Sequence, residues 1–380
     1  MMNRFSAVVA CAGLALWLGG CEQGGKQSGL GMGEWSTKEQ SVIGGRGSNL
    51  SGGVTLGASA TPPLTVDPGA RSSPELRRAA IGLLEQAAES TNALLRAHAI
   101  EALHHAPREV MEPIVRRGLG DPNRGVRFVA AMTVGRFKLT ETAALLVPLL
   151  RDESPSVQAA AIFALRKCGE QVDLTPLATM IQSGDMEVKA NVAMILGELG
   201  NPSAVPLLRS AAGQGSGRVA PARVKITDLQ IAEAMVRLGN ERQMEVIRAA
   251  LFAPAAEQGE LVALACQIVG KLRDERAAPT LLDFATREGR MQLPAEIRMA
   301  ATRALAEIDF GQAPVDVPLS YVAHQDFQLR AQAAMTLGAI PGQSAGAALT
   351  RLLTDDNPLV QVHAAGGILQ STAPERLSQW

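Results

Sequence analysis

Asp121-Pro122-Asn123-Arg124-Gly125-Val126-Arg127 returns 31 residues later as Asp152-Glu153-Ser154-Pro155-Ser156-Val157-Gln158. Both stretches read as an acid, a short polar turn, and an apolar residue just before a long polar side chain. Taking Arg127 as an anchor, the same register recurs at Arg96, Arg127, Gln158, Lys189, Asp228, Val262, Arg298, Arg330 and Gln361, at spacings of 31, 31, 31, 39, 34, 36, 32 and 31. One position before the anchor the residue is apolar in eight copies, from Leu95 to Val360, with Thr227 the exception. Three after it stand Ala99, Ala130, Ala161, Val192, Ile231, Ala265, Ala301, Ala333 and Ala364. Seven after it every copy is again apolar, from Leu103 to Ile368. Positions −1, +3 and +7 share one face of a helix, and a fixed repeat of this length is the signature of stacked supersecondary units.

Between these helices lie second amphipathic segments, at residues 141–150, 203–212, 241–252, 276–285 and 343–353. Several carry an early proline, as in Val205-Pro206 and Ala278-Pro279. A first helical turn tolerates proline because the missing N–H would be unpaired there. Each repeat therefore reads as helix A, a turn and helix B, with residues 74–89 supplying the first helix A. Aromatic residues make up 3% of the chain against 47% apolar residues overall, so the core is built of Ala, Leu, Val, Ile and Met. That composition suits closely packed helices better than sheets.

The pattern resembles HEAT-like repeats of the roughly 31-residue type also described from phycobilin lyases, over residues 74 to about 370. The resemblance implies an all-α, right-handed α-α superhelix of about nine helix pairs. At about 10 Å per stacked repeat it would form a curved rod about 90 Å long. The family's Asp-x5-Arg signature is complete at Asp121/Arg127 and partial at Asp152/Gln158 and Asp355/Gln361, so its ladder of acid and base is expected to be interrupted.

The first 73 residues are of another kind. A short positive start with Arg4 precedes an apolar run over residues 5–18, too short for a comfortable membrane span. It ends in Leu18-Gly19-Gly20-Cys21, which resembles the lipobox of bacterial lipoproteins. The resemblance implies cleavage before Cys21, a lipid on its thiol, and export to a bacterial membrane. Glu22 at the next position favours the outer membrane or the periplasmic face. Residues 22–73 are rich in Gly, Ser, Thr and Pro without an apolar period, the composition of a disordered, flexible tether reaching about 40 Å. The expected organisation is a signal peptide at 1–20, a lipidated linker at 21–73 and a repeat domain at 74–380.

A formal net charge of −1 argues against nucleic acid as a partner. Cys168 and Cys266 lie three repeats apart, too far for a disulfide, and are expected to be free thiols. No metal or cofactor is expected. None of the five histidines precedes a glutamate, so the His-Glu dipeptides that bind iron in the HEAT-like deoxyhypusine hydroxylase are absent. His104-His105 reads as a solvated helix end rather than a metal site. Neither GxSxG, a P-loop nor HExxH occurs, and no catalytic constellation is found; the chain is expected not to be an enzyme. Arg116, Arg117, Arg124, Arg127, Arg136 and Lys138 form a local basic cluster, read as surface arginines and a ladder member in preference to an anionic docking patch.

The candidate site follows from helix geometry. Position +5 points away from the core face and carries Met132, Phe163 and Met194 in successive repeats, with Phe128 on the same side and Arg136 and Lys167 beside the stripe. An apolar strip with a basic rim on the concave surface would hold an extended peptide or an amphipathic helix; lateral burial of the same side chains is the competing reading. The expected function is a protein-binding scaffold of the cell envelope, lipid-anchored through Cys21, with a protein or peptide partner. A structural spacer or assembly factor, or an accessory subunit of an enzyme related to HEAT-like lyases, are the alternatives.

Overall fold

The computed structural model describes residues 74–215 and 219–372. Cys21, the signal segment and the tether lie outside them. Among the described residues the chain is helical throughout and contains no strand. The inner helices are α2 (Ala93–Ala102), α4 (Arg124–Phe137), α5 (Pro155–Lys167), α7 (Met186–Leu199), α9 (Pro221–Arg237), α11 (Ala255–Lys271), α13 (Ala295–Ile308), α15 (Phe327–Ala339) and α17 (Pro358–Ser371). The outer layer holds α1 (Pro74–Ala87), α3 (Arg108–Gly118), α6 (Thr175–Met180), α8 (Val205–Ala211), α10 (Gln243–Ala250), α12 (Ala278–Thr286), α14 (Asp316–Leu319) and α16 (Gln343–Leu352). The third outer element is two 3-10 turns, Thr140–Leu146 and Pro148–Arg151, where the sequence suggests one segment. Pro148 has no N–H to give and its ring would strike the carbonyl four residues back, which disfavours an α-helix running through it.

The repeat register is the core register. All nine residues at +3 are fully buried, and all nine at +7 are buried, from Leu103 to Ile368. The turn that opens each clear repeat is a set of hydrogen bonds. Asn123 caps α4 by accepting from Gly125 N–H, while Asp121 accepts from Asn123 N–H. Asp121 also takes both Nε and Nη2 of Arg96, at 2.7 Å each, from the preceding repeat. Arg127 repeats this on Asp152 at 2.8 and 2.9 Å, and Arg330 on Asp355 at 2.8 Å. The ladder is interrupted as expected: Gln158 and Gln361 only turn back to the carbonyls of Asp152 and Asp355.

Successive inner helices approach in an alternating way. A methyl group added at Gly135 would stand 2.9 Å from Cα of Ala164, and one at Gly197 would stand 3.0 Å from Cα of Ala234. Gly270 faces Ala304 and Gly338 faces Gly367 in the same manner, at 2.7 and 2.5 Å. The glycines are at +8 in every second repeat, and the small residues opposite are at +6 in the next. Helices paired this closely draw the inner wall together while the outer layer stays spread, so the stack curls.

The curl runs to completion. α17 packs against both α1 and α2, and each inner helix packs on the next all the way round. Nine pairs closing a circle turn by about 40° each. The expected curved rod is thus bent until it closes into a ring. Arg77 of α1 stitches the seam, donating to the Leu369 carbonyl and the Thr372 hydroxyl at one end of α17 and to the His105 carbonyl beyond α2. Gly366 lies against Ala102 across the same seam. Cys168 and Cys266 are free thiols, and burial pushes Cys266 up to about 12. No helix of the described residues is long and apolar enough to cross a membrane.

Gly338→Val forces a branched side chain into Gly367 and is expected to cost about 1–3 kcal/mol, read as a lower Tm by circular dichroism. Gly346→Ala enters open space on α16 and should leave Tm unchanged or slightly raised. An unchanged Tm in Gly338→Val would show that the α15–α17 approach is not tight.

Candidate functional site

Because the inner helices all run in one sense, equal columns stand at equal depth in the ring. Position +5 supplies Glu101, Met132, Met194, Glu233, Gln267, Arg303, Met335 and Gly366 to the wall of one central cavity of about 450 Å³. The ninth member, Phe163, is missing from that wall. Toward the C-terminal ends of the helices, position +9 adds Arg136, Glu198, Arg237, Lys271 and Glu307. At +2 lie His98, Gln230, Gln332 and His363. The cavity wall is therefore mixed, with thioethers and imidazoles beside charged groups at both the +5 and the +9 positions.

Most of the charges are paired. Arg136 makes a two-point contact with Glu198 at 2.6 and 3.0 Å; burial opposes its charge, but the carboxylate more than offsets this and the guanidinium is held above its usual range. Arg237 bonds Glu233 at 2.7 Å and Arg303 bonds Glu307 at 3.0 Å, each within one helix. Burial pushes the Glu101 carboxyl up. His98, 3.4 Å away, together with the charges of His104 and Arg136, outweighs that and holds it below its ordinary range. His104 meets the Thr133 hydroxyl at 3.0 Å, and burial drives it down to about 4. His98 and His363 touch edge-on across the seam, with ring centroids 4.8 Å apart. Burial, then the neighbouring His98 and Arg303, pushes His363 well below the usual imidazole range. Among the described residues no group of three or more His, Cys, Asp and Glu side chains is placed to hold a metal ion.

The candidate stripe is only partly realised. Phe128, Met132, Met194 and Arg136 line the cavity, but Phe128 and Met132 are each 2% exposed and offer little surface. Phe163 is fully buried, and Lys167 is not on the wall, its ammonium lying 5.7 Å over the Phe163 ring. The reason is local. Gly135 leaves a slot that the Phe163 ring fills, so α5 is recessed. α4 and α7 then join over it through Arg124–Glu187 at 3.5 Å and Arg136–Glu198. An exposed concave strip through α4, α5 and α7 therefore does not exist. His104 is also not the solvated helix end the sequence suggested, although its neighbour His105 is exposed. Four members of the basic cluster face carboxyl groups: Arg116 at Glu112, Arg117 at Glu89, Arg124 at Glu187 and Arg127 at Asp152. The His98–His363 contact was missed because the two residues lie at opposite ends of the repeat array. Their common +2 position would have paired them had ring closure been anticipated.

Phe163→Ala is expected to cost about 3–5 kcal/mol by emptying the slot above Gly135, seen in urea denaturation; a change below 1 kcal/mol would place the ring at the surface. Glu187 has the opposite shift to Glu101: burial raises it from 4.5 to about 7, only partly opposed by Arg124. A carboxyl that holds its proton more tightly when folded adds stability in full below its ordinary value and loses it as pH rises through about 7. Glu187→Gln should therefore flatten the fall in Tm between pH 5 and 8 and melt above the wild type at pH 8.

No curated protein matches the chain in sequence. The structure is similar to the complex of CpcE and CpcF of phycocyanin lyase from Nostoc sp. PCC7120, with 17% identity and a TM-score of 0.33 over 66% of this chain and 91% of that one. It is also similar to human deoxyhypusine hydroxylase in complex with glycerol, with 16% identity and a TM-score of 0.33 over 78% of this chain and 97% of that one. These likenesses carry no activity over to this chain. They do overturn the expectation that it is not an enzyme, because chains of similar architecture include a lyase and a hydroxylase, and missing motifs do not exclude catalysis. The sequence profile described as HEAT repeats matches residues 80–166, 144–227 and 290–369, more than half of the chain, and the chain belongs to the HEAT-repeat family.

Proposed function

We propose that the chain is a protein-binding scaffold, held by lipid on Cys21 in the bacterial cell envelope, whose ring accepts a peptide segment of an envelope protein in its central cavity. The observation that carries the reading is the convergence of eight of the nine +5 residues on one cavity. A volume of about 450 Å³ falls within the range of built ligand pockets. Methionine supplies adaptable contacts, and the charged groups supply orientation. The lipobox-like Leu18-Gly19-Gly20-Cys21 supports the anchor, and the Gly/Ser-rich stretch that follows supports a tether.

A second reading, a spacer or assembly factor gripped from outside, is favoured by one feature. Phe252 and Met291 are 71% and 68% exposed, each in or beside an insertion between an outer and an inner helix. Photo-cross-linkers placed in the native cell at Gln267 and at Phe252 separate the two. Reproducible adducts to one protein from Gln267 alone support cavity docking. Adducts from Phe252 alone support the spacer, and the cavity reading then falls. Cys21→Ala is expected to abolish labelling by an alkyne fatty acid and release the chain from membranes; retained labelling would remove the anchor.

A further inference from the structure

We infer that the seam of the ring is an acid-sensitive latch: α17 parts from α1 and α2, with the helices intact, when His363 takes up a proton. The seam differs from the other junctions by construction. Every other pair of neighbouring inner helices is joined by the chain itself, whereas α17 and α2 are held by contacts alone. The rung that ties other turns is also missing there. Gln361 stands where Arg96, Arg127 and Arg330 make theirs, and its amide donates to the Asp355 carbonyl of its own turn. Arg77 of α1 takes over, but the acceptors it meets, two carbonyls and the Thr372 hydroxyl, are all neutral.

Two imidazoles meet in this junction. His98 of α2 and His363 of α17 are each 8% exposed, with ring centroids 4.8 Å apart. Among the described residues, the groups around His363 offer a proton there no unengaged carboxylate. On α2, Glu101 already faces His98 at 3.4 Å. On α13, Arg303 is a positive charge acting on His363, and Glu307 is engaged by that arginine. On α4, Arg136 adds positive charge near Glu101. α15 brings Gln332, Met335 and Thr336 to the same wall, none of them charged. The buried faces of α1 and α16 are apolar. Positive charge gathered in so little water is costly, and parting the seam returns it to solvent. In the closed ring burial, then His98 and Arg303, hold His363 well below the usual imidazole range. Its contribution to closure is present in full above the ordinary value of about 6.5 and is lost as pH falls below it. One such imidazole shifts the ratio of open to closed rings about thirtyfold between pH 7.5 and pH 5. The latch does not depend on what the cavity holds.

The test reads the seam directly in the full chain. Spin labels on ketone side chains at Gln86 of α1 and Ser344 of α16, both exposed, span the seam. A second pair at Ala249 of α10 and Leu282 of α12, also exposed, spans an ordinary junction. Distances are followed by pulsed EPR against urea at pH 7.5 and pH 5, with helicity followed by circular dichroism. The seam pair is expected to lengthen at a lower urea concentration than the control pair and before helicity is lost. The equilibrium for that opening should rise about thirtyfold at pH 5. His363→Gln, with His363→Leu as the apolar replacement, should abolish the rise. Seam and control pairs that lengthen together, with loss of helix, overturn the latch, because the ring then unfolds as one unit. An opening equilibrium that does not change with pH, or a rise that persists in the His363 variants, overturns the assignment of the latch to that proton.

Discussion

Backbone-to-backbone contact between inner helices is the constraint on which the rest of this structure depends. Gly135, Gly197, Gly270 and Gly338 each stand where a methyl group would collide with the next inner helix, against Ala164, Ala234, Ala304 and Gly367. Side chains of ordinary size would hold helices about 8–10 Å apart. These pairs come closer, whereas among the described residues no glycine of an outer helix is set against the next outer helix. The difference between the inner and outer circumference is what bends the stack, and the bend accumulates until α17 meets α1 and α2. Every property of the cavity follows, because only a closed ring gives the +5 column a common interior.

The polar ladder plays a different part. An Arg–Asp rung of two short hydrogen bonds ties one turn to the next, and the same aspartate organises the turn that the following asparagine caps. Such a rung fixes register: it holds neighbouring helices at equal depth, so that equal columns coincide. Where the rung is absent, other contacts take over. Lys189 reaches the carbonyls of Ala211 and Gln214, and Arg248 of an outer helix reaches Asp274. The least regular repeats, five to seven, rely on these substitutes. α11 there contains a non-helical residue, Gln258, inside its first turns, which absorbs an insertion.

Closure also turns residues with no relation in sequence into neighbours. His98 and His363 come from the first and last inner helices and share a buried contact. Arg136 and Glu198 close over a recessed α5, so that a phenylalanine destined by its column for the cavity becomes core instead. Burial then dictates the electrostatics. Burial disfavours the protonated imidazoles of His104 and His363 and the ionised carboxyl of Glu187, while Glu198, within hydrogen-bond reach, holds the Arg136 charge against burial.

The sequence by itself determined the helices and their faces. A 31-residue recurrence with apolar residues at −1, +3 and +7 admits one reading, since helical periodicity is local and each column repeats nine times. It also determined which column would look inward, because 100° per residue places +5 opposite +3. The fate of individual members of that column was not local. Whether Phe163 would be exposed depended on Gly135 of another helix and on a bridge to a third. The two-repeat alternation of glycine at +8 with small residues at +6 was present in the sequence. Its meaning lay in distances between helices, and those add up around the whole stack. Only the tertiary structure decided that the sum is a full turn, because curvature is set by many small approaches at once and no single repeat contains it.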